Sequence, residues 1–200
     1  MSATACEVDL LEARKLGSQT VVRLIEHCIT PGLPDIDRYL RVVNNEPIPD
    51  PDKVQHGECL VKNLYLSMDP TMRGWLTPAK GSYLPPVPVG SIMRGGSVGK
   101  VIYSKSERIK AGEYVNCATP DAVGWAQYGV AKDSLLVPIK MREGIPVRAW
   151  AGVLGGTGLT AYFGFIDLGR PKKGDTVVVS AAAGAGESNG SNKLPYHSRH

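Results

Sequence analysis

The residues of this 200-residue chain best suited to chemistry lie at one small-residue turn. Asp175-Thr176-Val177-Val178-Val179-Ser180 is a short apolar run rich in β-branched residues, the pattern of a strand buried on both faces. Ala181-Ala182-Ala183-Gly184-Ala185-Gly186 follows it directly. Small residues after a strand let a backbone approach a pyrophosphate, so Ala183, Gly184, Ala185 and Gly186 are candidate cofactor-binding residues of a dinucleotide site. A βαβ unit takes roughly 30 residues, and the acidic residue that holds the ribose lies about 20 residues past the glycines. Residues 187–200 are too few for either. They are rich in Ser, Asn and Gly and carry one aliphatic residue, Leu194, where an amphipathic helix should aim its N–H groups at phosphate. A disordered, aberrant tail is expected there, with a shifted reading frame, a retained intron or a misplaced exon boundary as its origin.

Other elements must position that turn. Leu159, Tyr162, Phe163 and Ile166 fall at i, i+3, i+4 and i+7, with Thr157 as N-cap and Gly169 then Pro171 as the stop, which predicts a helix of about three turns. Upstream the period is two. Thr20–Ile25, Tyr39–Val43, Cys59–Leu66, Val98–Tyr103 and Tyr114–Cys117 are expected strands, and Pro-rich breaks at 47–51 and 85–88 forbid long elements. The expected fold class is mainly β with some α: a compact, partly open β-barrel over residues 1–150, the first helix and strand of a nucleotide-binding domain over 151–186, and the tail over 187–200.

Composition narrows the partners. With 23 Lys and Arg scattered among 19 acidic residues and a net charge of +4, the surface is mixed and shows no basic run for nucleic acid or anionic membrane. No segment approaches the ~18 apolar residues of a membrane span. Met1–Glu12 carries Glu7, Asp9 and Glu12 and has no basic stretch ahead of an apolar one, so a cytoplasmic location is expected. Cys6, Cys28, Cys59 and Cys117 stand singly, without a CxxC pair or histidine at ligand spacing, and are expected to be free thiols. His27, His56, His197 and His200 fall in loops or tail.

Four motifs carry a family resemblance. Asn63-Leu64-Tyr65-Leu66-Ser67-Met68-Asp69-Pro70-Thr71-Met72-Arg73-Gly74 resembles the NLYLSxDPYMRG signature of the zinc-independent medium-chain reductases that include prostaglandin, leukotriene and plant alkenal double-bond reductases. Gly124-Trp125-Ala126-Gln127-Tyr128, Leu159-Thr160-Ala161-Tyr162-Phe163-Gly164 and Gly174–Ala185 are similar to that family's GWxEY, MTAYFG and GETVVVSxAAGA. The likeness runs from about Thr20 to Ala185.

The resemblance implies a GroES-like N-terminal barrel, a Rossmann domain that here is truncated, and NADPH-dependent reduction of the double bond of a conjugated enone or enal. It implies a small-molecule enone or enal as partner and puts the family's homodimer in doubt, because the Rossmann domain is incomplete. No Cys or His follows the Leu60–Leu66 strand, Pro88-Val89-Gly90-Ser91 has no GHE and no four-cysteine lobe is present, so a metal mechanism is not expected. Asp69, Arg73 and Tyr128 are the catalytic candidates, with turn-holding or core roles as the alternatives, and Trp125 either walls the substrate cleft or fills core. Thr160 and Tyr162 sit where relatives approach the nicotinamide. Two places depart from the pattern: Thr71 replaces the motif tyrosine, and the turn over Ala182–Glu187 either lacks one residue or puts Glu187 where its last glycine belongs, which would place a carboxylate near a pyrophosphate. The isolated chain is therefore expected to be inactive alone. A related reductase acting on another small metabolite and a non-catalytic barrel with a binding or regulatory role are the competing readings.

Overall fold

The computed structural model describes residues 5–78, 84–117, 119, 121–179 and 184, and the chain divides into two units, Met1–Met141 and Arg142–His200. The first unit runs α1 (Ala5–Leu16), β1 (Ser18–Leu24), α2 (Ile36–Tyr39), β2 (Leu40–Pro47), β3 (Glu58–Leu66), α3 (Met72–Trp75), β4 (Ser97–Ser104), β5 (Tyr114–Cys117), β6 (Tyr128–Lys132) and β7 (Val137–Pro138). All five strands expected upstream form. Every pairing is antiparallel: β1 with β2, and a five-stranded sheet in the order β6-β3-β4-β5-β7. Single bridges from Val21 to Ala126 and from Arg23 to Ile92 join β1 to the loops beside that sheet, giving the partly open barrel.

Alternation along the strands sets the core. Cys59 and Val61 of β3 and Val101 of β4 enter one buried cluster with Val115 and Leu136, while Leu60 and Ile102 point the other way into a cluster with Val54, Tyr128 and Ala13 of α1. The sheet is thus apolar on both faces, and α1 covers one of them. Asp9 fixes the helix there, accepting from Lys62 Nζ at 2.8 Å and Lys100 Nζ at 2.7 Å. A third cluster gathers Leu24, Cys28, Tyr39, Met72, Trp75, Leu76, Val87 and Met93 under the β3–α3 turn. All four cysteines are free thiols. No helix among the described residues is long and apolar enough to cross a membrane.

The second unit departs from the expected helix. α4 spans only Gly156–Ala161 and passes into a π-helical stretch over Tyr162–Leu168. Gly155 occupies the N-cap, and the Thr157 hydroxyl instead donates to Gly152 O at 2.9 Å. The wider π turns break the 3.6-residue register that the apolar spacing assumed, and Leu159, Tyr162, Phe163 and Ile166 are all exposed within this chain. The expected strand over 175–180 is a second correction. Asp175–Val179 takes no strand pairing, and Val178 is 90% exposed. A strand exists only as a partner in a ladder, and no described residue supplies one. Ser180, the turn residues Ala181, Ala182, Ala183, Ala185 and Gly186, and the tail 187–200 lie outside the described residues.

Candidate functional site

The NLYL-type motif leaves the sheet at the end of β3 and turns into α3. Asp69 makes that turn: its Oδ1 accepts from Thr71 N at 2.8 Å and its carbonyl from Met72 N at 3.0 Å. Arg73 holds the turn to a separate loop. Its Nη2 donates to Thr30 O at 2.9 Å, its Nε to Gly32 O at 3.4 Å and its Nη1 to Thr77 Oγ1 at 2.7 Å, and that hydroxyl donates in turn to Cys28 O. Asp69 and Arg73 therefore share a turn without forming an ion pair with each other. Thr71 opens α3, and its side chain makes no capping hydrogen bond.

Two polar residues that the sequence reading passes over organise the neighbourhood. Asn63 Nδ2 donates to Gly124 O and Ala126 O, and its Oδ1 accepts from Ser97 Oγ at 2.7 Å, so one amide locks β3, β4 and the GWxEY-type loop together. An asparagine within a strand, where that residue type is depleted, was the available signal. Arg94 gave no such signal beside Gly95-Gly96. It is 8% exposed and donates from Nε to Asp121 Oδ1 at 2.6 Å.

Trp125 packs against the cluster under the β3–α3 turn. It does so because residue 95 is glycine: a Cβ there would collide with Nε1 of the indole and lie 2.8 Å from its Cδ1. Gly124 takes a φ of +73°, and a Cβ on it would meet Met93 O at 2.7 Å. The two glycines and the tryptophan are one packing unit. Trp125 also borders a cavity of about 310 Å³ with Val22, Leu64 and Leu66. Tyr128 lies apart from this group, 5% exposed in the cluster beneath α1 with Leu60 and Ile102.

Burial pushes the Cys117 thiol up to about 11 and raises Cys59 as well, so both are protonated thiols near neutral pH. Among the described residues no three His, Cys, Asp or Glu side chains gather as a metal site.

In the second unit Thr160 and Tyr162 are both exposed. The Thr160 hydroxyl donates to Gly156 O at 2.9 Å, and the Tyr162 ring meets Phe163 edge-on at 5.5 Å. Of the glycine turn only Gly184 is described. A dinucleotide cradle requires the strand, the turn and the N-terminus of the following helix together. The described residues give an unpaired 175–179 segment and one glycine, so they do not assemble a phosphate cradle.

The comparisons with known proteins place these parts. Residues 32–139 match a family model described as the N-terminal domain of oxidoreductase. An NADPH-dependent curcumin reductase of Escherichia coli is 40% identical over 129 residues, 64% of this chain and 35% of that protein. An NADP(+)-dependent 2-alkenal reductase of Nicotiana tabacum is 38% identical over 135 residues, 66% of this chain and 38% of that protein. Among solved structures, CurA from Vibrio vulnificus in complex with NADPH superposes with a TM-score of 0.70 at 34% identity, covering 86% of this chain and 47% of that one. The chain thus spans less than half the length of these relatives. With just over half of its residues matched to that domain and all four motifs in order, the chain belongs to the zinc-independent medium-chain dehydrogenase/reductase family, of the alkenal and prostaglandin reductase type.

Proposed function

We propose that this chain derives from an NADPH-dependent oxidoreductase that reduces the carbon–carbon double bond of a conjugated enone or enal, and that these 200 residues are inactive alone. The observation that carries the reading is the oxidoreductase domain over 32–139 in a chain whose relatives are named for NADP-dependent reduction of alkenals and curcumin. Bound in a complete nucleotide domain, NADPH would supply the hydride that, with a proton from solvent, saturates the double bond. This chain's own residues contribute by positioning. Residues 1–150 form the barrel and 151–186 open the nucleotide domain. Asp69 and Arg73 act by keeping the β3–α3 turn in place, Tyr128 acts as core, and Thr160, Tyr162 and Gly184 are the residues that would hold the cofactor in a complete nucleotide domain. The unpaired 175–179 segment supports inactivity, since nothing described holds a pyrophosphate. The expected location is the cytoplasm.

A chimera tests the reading. Residues 1–179 joined to the nucleotide-binding remainder of a full-length relative should transfer deuterium from 4-deuterated NADPH to the β-carbon of 4-phenyl-3-buten-2-one. A folded chimera that binds NADPH and leaves the enone intact, or reduces only its carbonyl, would contradict it.

A further inference from the structure

A cavity of about 360 Å³ lies in the first unit between the 87–94 segment and the 121–124 loop. Its lining is mixed: Pro88, Ile92 and Val123 are apolar, and Ser91, Arg94 and Asp121 are polar. Arg94 is the unusual one. Its side chain is 9% exposed, and burying a guanidinium costs several kcal/mol unless its donors are met. Nε donates to Asp121 Oδ1 at 2.6 Å and Nη1 to Pro85 O at 2.7 Å, with the group standing 5.7 Å over the Trp75 ring. Nη2 makes no hydrogen bond to any described residue, so a charged donor is left over on a residue that lines the cavity.

We infer that this cavity binds a small uncharged molecule whose carbonyl oxygen accepts from Arg94 Nη2. The choice of a neutral carbonyl over a carboxylate follows from Asp121. Its charge compensates that of Arg94 and repels an incoming anion, yet leaves the Nη2 protons available to a neutral acceptor. Ser91 brings a hydroxyl to the same cavity and can occupy the second lone pair of that oxygen. Apolar side chains beside a few convergent polar groups are what a small-molecule site offers, and Pro88, Ile92 and Val123 supply the apolar part here. The conjugated ketone as ligand class rests on the reductase reading above, whereas the preference for a neutral acceptor rests on Arg94 and Asp121 alone.

The test uses the 200-residue protein without NADPH and follows saturable binding of 4-phenyl-3-buten-2-one by calorimetry. The oxygen-free analogue 1-phenyl-1-butene and the carboxylate trans-cinnamate serve as controls. The ketone should bind at least about tenfold tighter than either, the factor of one charge-assisted hydrogen bond, and Arg94→Met should abolish its advantage over the hydrocarbon. Asp121→Asn, which keeps an acceptor beside Nε, should tighten cinnamate about tenfold; if Arg94→Met loses its circular dichroism, this variant decides the question. Equal binding of ketone and hydrocarbon, no binding of the ketone, or unchanged discrimination against cinnamate in Asp121→Asn would overturn the inference. None of those results touches the reductase reading, which is tested by hydride transfer in the chimera.

Discussion

Arg73 joins three stretches of chain through one guanidinium, and that explains an arginine in the motif without any contact to substrate. Replacing it by alanine should lower unfolding free energy by about 2 kcal/mol in urea titrations, as three partly exposed hydrogen bonds of about 0.5–1.5 kcal/mol each are lost and water recovers part of them. Lysine should restore little, because a point charge cannot serve three acceptors in the plane of a guanidinium. Wild-type stability in Arg73→Ala would return the residue to the list of direct site groups. Gly95 acts by the absence of a side chain. Gly95→Ala should cost about 1–3 kcal/mol and shift tryptophan emission, because the new Cβ displaces the Trp125 indole. The turn-holding role of Arg73 stood among the readings of the sequence, but its acceptors Thr30 and Gly32, more than 40 residues away, were not legible there, and neither was the role of Gly95.

At the scale of elements, the five expected strands formed because their alternation encodes burial directly, as Leu60 and Val61 show by entering opposite clusters. α1 was illegible. Its Val8, Leu11 and Leu16 are exposed, and it is seated by Asp9 on lysines of β3 and β4, contacts that no local pattern announces. Partial burial raises the Asp9 carboxyl, but hydrogen bonds from Lys100 and Lys62 and their charges outweigh it, so the group sits below the ordinary carboxylate range. A depressed folded pKa contributes stability that is present above the unfolded value of about 4 and is lost as pH falls through the folded one. Amide exchange in α1 should therefore accelerate below about pH 4 ahead of the sheet, and Asp9→Asn should remove that step. Acid exchange that is uniform across α1 and β3 would refute the clasp. The 156–168 helical segment failed the other way, since its spacing was clear but the residues that would bury it are not among those described. Phe163→Ala should accordingly cost no more than about 0.5 kcal/mol in this chain, against about 2–5 kcal/mol for Leu60→Ala in the core.

For the whole molecule, the first unit has its own apolar clusters, a clasped helix and two antiparallel sheets, whereas the described part of the second unit presents apolar side chains to solvent and an unpaired segment where a nucleotide-binding strand was expected. Family membership was legible because motifs record chemistry position by position. The second unit was not, because a buried parallel strand and its turn acquire structure only from neighbouring strands and a following helix. The most direct measurement is a fluorescence titration of the folded 200-residue protein with NADPH, with NADH as comparison. The account predicts no saturable binding of either nucleotide by a chain whose barrel melts cooperatively. Saturable binding that prefers NADPH would contradict it, since a working phosphate cradle would then exist within these 200 residues.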